Sequence, residues 1–245
     1  MLVSAAVCPC PPLLVPAVAA GAAPELDAAR AACADALGVL AASRPDRLVV
    51  VGPAAGTTTD LETYPQGAYG SFRGYGAAVD VTLDGKPPRP EDRDGRSGAE
   101  LPTSLAVAAW LLAHVAWSAS PIQGLGVREP LDAERCIKSG RDITTGAGRV
   151  ALLVMGDASA CRTLKAPGYL DERAAAFDAE VARALGSADV AALAALDESL
   201  ATDLKAAGRA CWQVLAGAAE GADLGGALLY DDAPYGVGYL VAAWS

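Results

Sequence analysis

Residues 150–157 read VALLVMGD, and this stretch is the strongest indication of the fold class in the chain. Six apolar residues, 150–155, run without interruption into Gly156 and Asp157. A short continuous apolar run that a turn residue closes is typical of a strand buried on both faces. Residues 47–53, RLVVVGP, have the same character, with a β-branched run that ends at Gly52 and Pro53. The sequence therefore predicts two buried central strands.

Helical patterns lie between the predicted strands. Apolar residues recur at helical spacing on one face of a helix that we expect to begin near Pro24, namely Leu26, Cys33, Leu37 and Leu40. We predict further helices at 101–115, at 131–138, after Asp171 and along the leucine stripe 193–204, and further strands at 2–7, 78–83, 122–127, 227–230 and 235–244. Alternating strands and helices predict an α/β fold, a single three-layer domain over residues 1–245 with a central, mostly parallel or mixed sheet flanked by helices.

The composition is apolar and acidic, with 53% hydrophobic residues and a formal net charge of -10 over 245 residues. An acidic surface disfavours nucleic acid, because phosphate binding needs clustered Lys and Arg, and it disfavours anionic membranes. The apolar stretch 101–119 contains Pro102 and His114 and has no basic flank. We therefore expect a buried helix there, not a membrane span.

Six cysteines occur at irregular spacing. The first 16 residues contain four prolines and no Lys or Arg, so they make a poor secretion signal. Both features favour reduced thiols and a cytoplasmic location.

Polar side chains follow the ends of the buried strands. In open α/β sheets, ligands bind beyond the carboxyl ends of the strands, so we expect the loops 8–10, 52–55 and 156–159 to converge, with the turn 231–236 beside them. The candidates collected there are Asp157 and Tyr235 as catalytic residues, Ser159, Arg162, Lys165 and Tyr169 as substrate-binding residues, and Cys10 and Asp232 as metal ligands.

Each candidate also has a purely structural interpretation, and the sequence leaves both open. Cys10 is a small buried thiol at a strand end, a ligand for a thiophilic metal such as zinc, or a reactive redox thiol. Asp157 either accepts hydrogen bonds from its loop or faces a ligand. Arg162 and Lys165 suit a carboxylate or phosphate ligand, but ordinary surface cations have the same pattern. Tyr235 follows a turn proline, and packing in the turn would also explain it.

Four segments resemble the iron-binding subunit of class III extradiol ring-cleavage dioxygenases, and more distantly the Memo-type relatives of that family. The segments are AAVCPCPPLLVP at 5–16, VVVGPAAG at 49–56, GDASACRTLKAPGYLDERAAAFD at 156–178 and LLYDDAPYGVGYLVAAW at 228–244. The resemblance implies an α/β fold, a pocket for a small polar or aromatic molecule, and self-association or a partner subunit. It also implies an iron site of two histidines and one carboxylate.

The chain departs from that family at the implied iron ligands. It contains one histidine, His114, which lies on the predicted helix 101–115 and outside the four segments. Cys10 stands at the place of the first iron histidine, Ala54 or Ala55 near that of the second, and Ala160 or Cys161 at that of a further one. Only the carboxylate position is filled, by Asp231 or Asp232.

Three hypotheses about function follow from this departure. In the first, the fold has lost or altered its iron site and retains a small-molecule pocket. In the second, the protein is a non-catalytic binding or scaffolding protein of Memo type. In the third, it is an oxygenase with unusual Cys and Asp ligands.

Overall fold

Strands form the centre of the molecule, for which a computed structural model describes residues 1–54, 60–86, 99–146 and 148–245. Seven of the strands form one sheet in the order β3-β6-β2-β7-β1-β9-β8, and β4 and β5 pair separately. The strands are β1 (Leu2–Cys8), β2 (Arg47–Pro53), β3 (Leu61–Tyr64), β4 (Tyr69–Ser71), β5 (Asp80–Thr82), β6 (Ile122–Val127), β7 (Val150–Met155), β8 (Gly226–Asp232) and β9 (Tyr239–Trp244).

Helices cover both faces of this sheet, which confirms the predicted α/β class with its mixed central sheet. α2 and α3 bury their apolar residues on one face, and α4, α5 and α8 on the other. The α-helices of the described residues are α1 (Pro16–Ala19), α2 (Asp27–Ala42), α3 (Thr103–His114), α4 (Ala133–Thr144), α5 (Ala174–Gly186), α6 (Val190–Ala194), α7 (Glu198–Asp203) and α8 (Arg209–Ala218). None of these helices is both long and apolar enough to cross a membrane.

β7 is the central strand, as the uninterrupted apolar run predicts. All six of its residues are buried. It lies parallel to β2 on one side and to β1 on the other, so that Leu153 pairs with both Val50 and Ala6. Leu153 packs in the core under α2 and α3, whereas its neighbour Val154 packs in the core under α4, α5 and α8. A strand covered on both faces has no position for a polar residue, which explains why residues 150–155 are all apolar.

β1, β7, β2 and β6 are mutually parallel, and their carboxyl ends therefore lie at the same edge of the sheet. β3 pairs with β6, and β9 with β1, in the antiparallel direction, and β8 continues antiparallel beyond β9. The chain segment that joins β8 to β9 consequently turns at the same edge.

Several predicted boundaries were wrong, each for a local reason. Residues 20–26 form a 3₁₀ helix that contains Pro24, and α2 begins only at Asp27. The leucine stripe 193–204 is divided between α6 and α7, because Asp189 and Asp197 each cap a new helix start. β5 pairs with β4 and not with the central sheet. The polar, charged and proline-rich stretch 86–98 predicts an exposed loop, and beyond Lys86 it falls outside the described residues.

Candidate functional site

The loops that follow β1 and β7 meet at the carboxyl edge of the sheet. The Gly156 N–H donates to the Cys8 carbonyl oxygen at 3.0 Å. The Cys10 N–H donates to Asp157 Oδ1 at 2.8 Å. The predicted convergence of loops 8–10 and 156–159 is therefore confirmed. Of the third loop, the described part ends at Ala54, whose N–H donates to the Val127 carbonyl oxygen at 2.8 Å, and Ala55 lies outside the described residues.

The turn between β8 and β9 closes over the loop that follows β7. The Ala158 N–H donates to the Gly238 carbonyl oxygen at 2.8 Å, and the Arg162 N–H donates to that of Gly236 at 3.0 Å. Gly236 has a φ of 75°, and a Cβ there would collide with Ala166 and Thr163. Glycine is thus required at this position by both backbone conformation and space. The turn 231–236 joins the site as predicted.

Asp157 is the carboxyl group at the centre of this junction. Burial raises its pKa from 3.8 to about 6, against the opposing effect of the hydrogen bond from the Cys10 amide. The buried Tyr239 is close enough for the charge of Asp157 to raise the pKa of its phenol, after burial as the larger cause. Asp157 therefore changes its protonation state near pH 6, and a phenolic hydroxyl lies in its surroundings.

Ser159 and Arg162 are both engaged with a carboxylate that the sequence did not single out, Asp178 of α5. Asp178 accepts from the Ser159 N–H at 2.8 Å, from the Ser159 hydroxyl at 2.8 Å and from Arg162 Nη1 at 2.9 Å. Ser159 is fully buried. Burial raises the pKa of Asp178, and these donors oppose the rise. In this arrangement both residues hold the 156–162 loop in place; whether they also contact a substrate stays a prediction.

Lys165 and Tyr235 line one cavity of about 500 Å³, together with Thr163, Leu164, Pro234 and Gly236. The Tyr235 hydroxyl donates to Glu25 Oε2 at 2.9 Å. Tyr169 lies further along the same loop, 63% exposed and with a φ of 65°, a conformation that costs a non-glycine residue energy. Two of the predicted site residues are thus brought to one cavity, whose lining does not include Asp157, Ser159, Arg162 or Tyr169.

The two predicted metal ligands differ in environment. Cys10 is 7% exposed, and burial raises the pKa of its thiol well above its usual value. Asp232 is exposed and accepts from the Ala233 N–H at 2.7 Å. Within residues 1–54, 60–86, 99–146 and 148–245, no three His, Cys, Asp or Glu residues are grouped so as to hold a metal ion.

The residues present do not fit the iron site that the family resemblance implies. Such a site needs two imidazoles, and the chain has one histidine. His114 is at the exposed end of α3, where its ring stacks on Trp110 with 5.2 Å between the centroids. It has a packing partner away from the Cys10 and Asp157 loops.

Two further polar residues carry no candidate role from the sequence, the half-buried Glu129 and the buried Arg209. Burial raises the pKa of Glu129 to about 8, although Arg209 opposes the rise. Arg209 Nη1 donates to the Leu131 carbonyl oxygen at 2.6 Å, and the Arg209 side chain is 2% exposed. A signal for Glu129 was present, because it follows β6 by two residues, as Cys10 follows β1 and Asp157 follows β7. Arg209 has no comparable local signal.

Asp157→Asn is expected to change how stability depends on pH. Because the folded state holds the Asp157 proton more tightly than the unfolded state does, this group lowers the free energy of unfolding progressively as pH rises from 3.8 to about 6. Asparagine keeps an oxygen for the Cys10 N–H and removes the titration. In urea unfolding between pH 4 and pH 8, the free energy of unfolding of the variant should therefore rise relative to that of the wild type as pH increases to about 6. Above that pH the difference should stay constant. A constant difference at every pH would contradict the raised pKa.

No protein-family model matches the chain, and no curated protein is similar to it at a significant level. Among solved structures, the chain is similar to the crystal structure of the uncharacterized protein JW3007 from Escherichia coli K12. The two are 13% identical, the match covers 99% of each chain, and the TM-score is 0.57. At this level of identity the likeness concerns the fold alone.

Proposed function

We propose that the chain is a relative of the iron-binding subunit of class III extradiol dioxygenases, that it has lost the iron chemistry of that family, and that it binds a small polar or aromatic molecule at the carboxyl edge of its sheet. The four resembling segments support this proposal, because three of them supply the loops that meet at Asp157 and the turn 231–236. The second candidate, a scaffolding role, requires an exposed apolar surface instead.

The observation that carries the proposal is the position of Asp157. Its carboxyl group is held by the Cys10 amide at 2.8 Å, where the first and third resembling segments meet. A carboxyl whose pKa is about 6 is mostly ionised at neutral pH and still exchanges its proton readily. Perturbed carboxyls of this kind are concentrated at functional sites. Asp157 is therefore the group that we expect to accept a proton from a ligand hydroxyl.

The cavity that Lys165 and Tyr235 line supports a ligand of limited size. A volume of about 500 Å³ lies within the range of small-molecule sites. Its lining combines apolar Leu164 and Pro234 with the phenol of Tyr235 and the ammonium group of Lys165. Among the described residues, Lys165 has no ion pair, whereas the neighbouring Arg162 is paired with Asp178. An aromatic ring with polar substituents matches this combination.

The side chains available as metal ligands argue against the ordinary iron mechanism of the family. One histidine cannot supply two imidazole ligands, and thiolate or carboxylate ligands alone would not reproduce the family site. We therefore assign Asp157 and Tyr235 to proton exchange and ligand positioning, with no step that depends on iron. The six free, buried cysteines suit a reducing compartment such as the cytoplasm.

One observation favours the second candidate, a non-catalytic scaffolding role. Three large apolar side chains are exposed on the loop after β7, Leu164, Tyr169 and Leu170, at 62%, 63% and 44%. Neighbouring exposed apolar residues are a common mark of protein interaction sites. If this role is the correct one, small phenols will not bind in the cavity that Lys165 and Tyr235 line.

The proposal is tested by measuring catechol binding to the metal-free protein, with calorimetry or tryptophan fluorescence as the readout. Tyr235→Ala should weaken binding by about tenfold or more, because it removes one wall of the cavity and an aromatic contact. Tyr75→Ala is the matched control, since Tyr75 is an exposed tyrosine that does not line this cavity. It should bind catechol like the wild type. The absence of saturable binding, or equal binding by Tyr235→Ala, would contradict the proposal.

A further inference from the structure

The hydroxyl group of Tyr235 donates its single hydrogen bond within the chain. The acceptor is Glu25 Oε2, at 2.9 Å. Because a carboxylate has no proton of its own to give, the phenol has to be the donor in this pair. Burial raises the pKa of the Tyr235 phenol, and the hydrogen bond to Glu25 and the charge of Glu25 raise it further. The phenol therefore keeps its proton at neutral pH.

Both partners of this hydrogen bond are held by their neighbours in the chain. Leu26, next to Glu25, is fully buried in the core under α2 and α3. The ring of Tyr235 packs against the same core. Gly236, next to Tyr235, has a carbonyl oxygen that accepts from the Arg162 N–H at 3.0 Å. The direction of the Tyr235 hydroxyl is thus set before a ligand arrives, which is the arrangement that a selective site needs.

The cavity consequently offers a ligand two hydrogen-bonding groups of opposite kind. Tyr235 lines the cavity, and because its proton lies toward Glu25, its oxygen can only accept from a ligand. Lys165, on the same lining, can only donate. Thr163 is the third polar side chain of the lining, and its hydroxyl can do either. A ligand hydroxyl at Tyr235 meets an acceptor, whereas an ether oxygen there meets a second acceptor with no proton between the two.

We propose that Glu25 determines specificity at this cavity, because it makes Tyr235 an acceptor and so selects ligands with a free aromatic hydroxyl over their O-methylated forms. The inference rests on the proposed function and names the class of ligand more closely. Glu25 is not among the residues that line the cavity, so it acts through Tyr235. In the complex the ligand hydroxyl donates to Tyr235 Oη, which donates to Glu25, and hydrogen bonds in such a chain strengthen one another.

The test compares the Kd of catechol with the Kd of 1,2-dimethoxybenzene, its O-methylated form, by calorimetry on the metal-free protein. The wild type should bind catechol about tenfold or more tightly, because the ether leaves the Tyr235 acceptor unpaired. In Glu25→Ala the Tyr235 hydroxyl is free to donate to an ether oxygen, so this preference should fall toward equal affinity. The methyl groups add the same bulk in both proteins, so the change in preference reports the hydrogen bond. Glu25 is exposed, and its replacement does not threaten the fold.

A double-mutant cycle shows whether Glu25 acts through Tyr235. Tyr235→Phe keeps the ring and removes the hydroxyl, so it should also reduce the preference for catechol. Adding Glu25→Ala to Tyr235→Phe should then change the preference no further. The matched control is Glu172→Ala, which removes an exposed glutamate on the loop after β7 that does not line the cavity. It should keep the wild-type preference.

Equal affinity of the wild type for the two compounds would overturn this inference and leave the proposed binding site standing. An unchanged preference in Glu25→Ala would overturn it as well. So would a further change when Glu25→Ala is added to Tyr235→Phe, or a reduced preference in Glu172→Ala. If the wild type shows no saturable catechol binding, the proposed function and this inference both fail.

Discussion

Gly217→Ala is expected to lower the free energy of unfolding by about 3 kcal/mol, at the upper end of the range for overpacked cores. A Cβ at Gly217 on α8 would collide with the carbonyl oxygen of Ile137 on α4. The reverse contact is equally tight, because a Cβ at Gly140 on α4 would collide with the carbonyl oxygen of Val214 on α8. Since backbone atoms line both sides of this crossing, a side-chain rotation cannot make room. The helices have to separate.

Gly38→Ala is the matched control for this prediction. Gly38 is also a helical glycine, in α2, but a Cβ there would meet no atom within 4 Å. Alanine should therefore stabilise the protein by about 0.5–1 kcal/mol through its better helix propensity and the lower entropy of the unfolded chain. Urea unfolding of the two variants measures the difference. Equal effects of the two substitutions would contradict the close α4–α8 crossing.

Asp178→Ala is expected to have an effect of similar size, a loss of about 3 kcal/mol. It removes the acceptor of three hydrogen bonds, and it leaves the buried N–H and hydroxyl of Ser159 without that partner. It also frees the guanidinium group of Arg162, which is still partly accessible to water. The 156–162 loop should therefore loosen, and catechol binding should weaken together with stability.

The control for Asp178→Ala is Asp142→Ala, which removes a carboxylate from an exposed pair with Lys138. Exposed ion pairs on a helix contribute little, so this variant should unfold close to the wild-type urea concentration. Both variants are followed by urea unfolding and by catechol binding. Wild-type stability in Asp178→Ala would show that the loop is held by other contacts.

The central strands could be predicted because they need only local information. An uninterrupted apolar run such as 150–155 can be accommodated on both faces of a sheet only when that sheet is covered by helices on both sides. The start of α2 could not be placed from Pro24, because proline suits the first turn of a 3₁₀ helix as well as that of an α-helix. The assignment of β5 to a separate ladder depends on a partner strand, which periodicity does not identify.

The candidate site could be predicted only in part. The meeting of Cys10 and Asp157 follows from strand order and the rule that parallel strands share one carboxyl edge. The hydrogen bonds of Ser159 and Arg162 to Asp178 do not follow from strand order. Asp178 is 19 residues from Ser159 and reaches the loop only through the packing of α5. Arg209 reaches the loop after β6 across 78 residues of sequence. Such contacts depend on tertiary packing, which a single sequence does not specify.

The proposed loss of iron chemistry is tested most directly by one measurement on protein prepared without oxygen. The protein is incubated with ferrous iron, freed of excess metal, assayed for bound iron, and then supplied with catechol and oxygen. We expect less than one bound iron per chain and no oxygen uptake above that of the buffer, while catechol still binds. One tightly held iron per chain, with oxygen consumed and a ring-cleaved product formed, would contradict it.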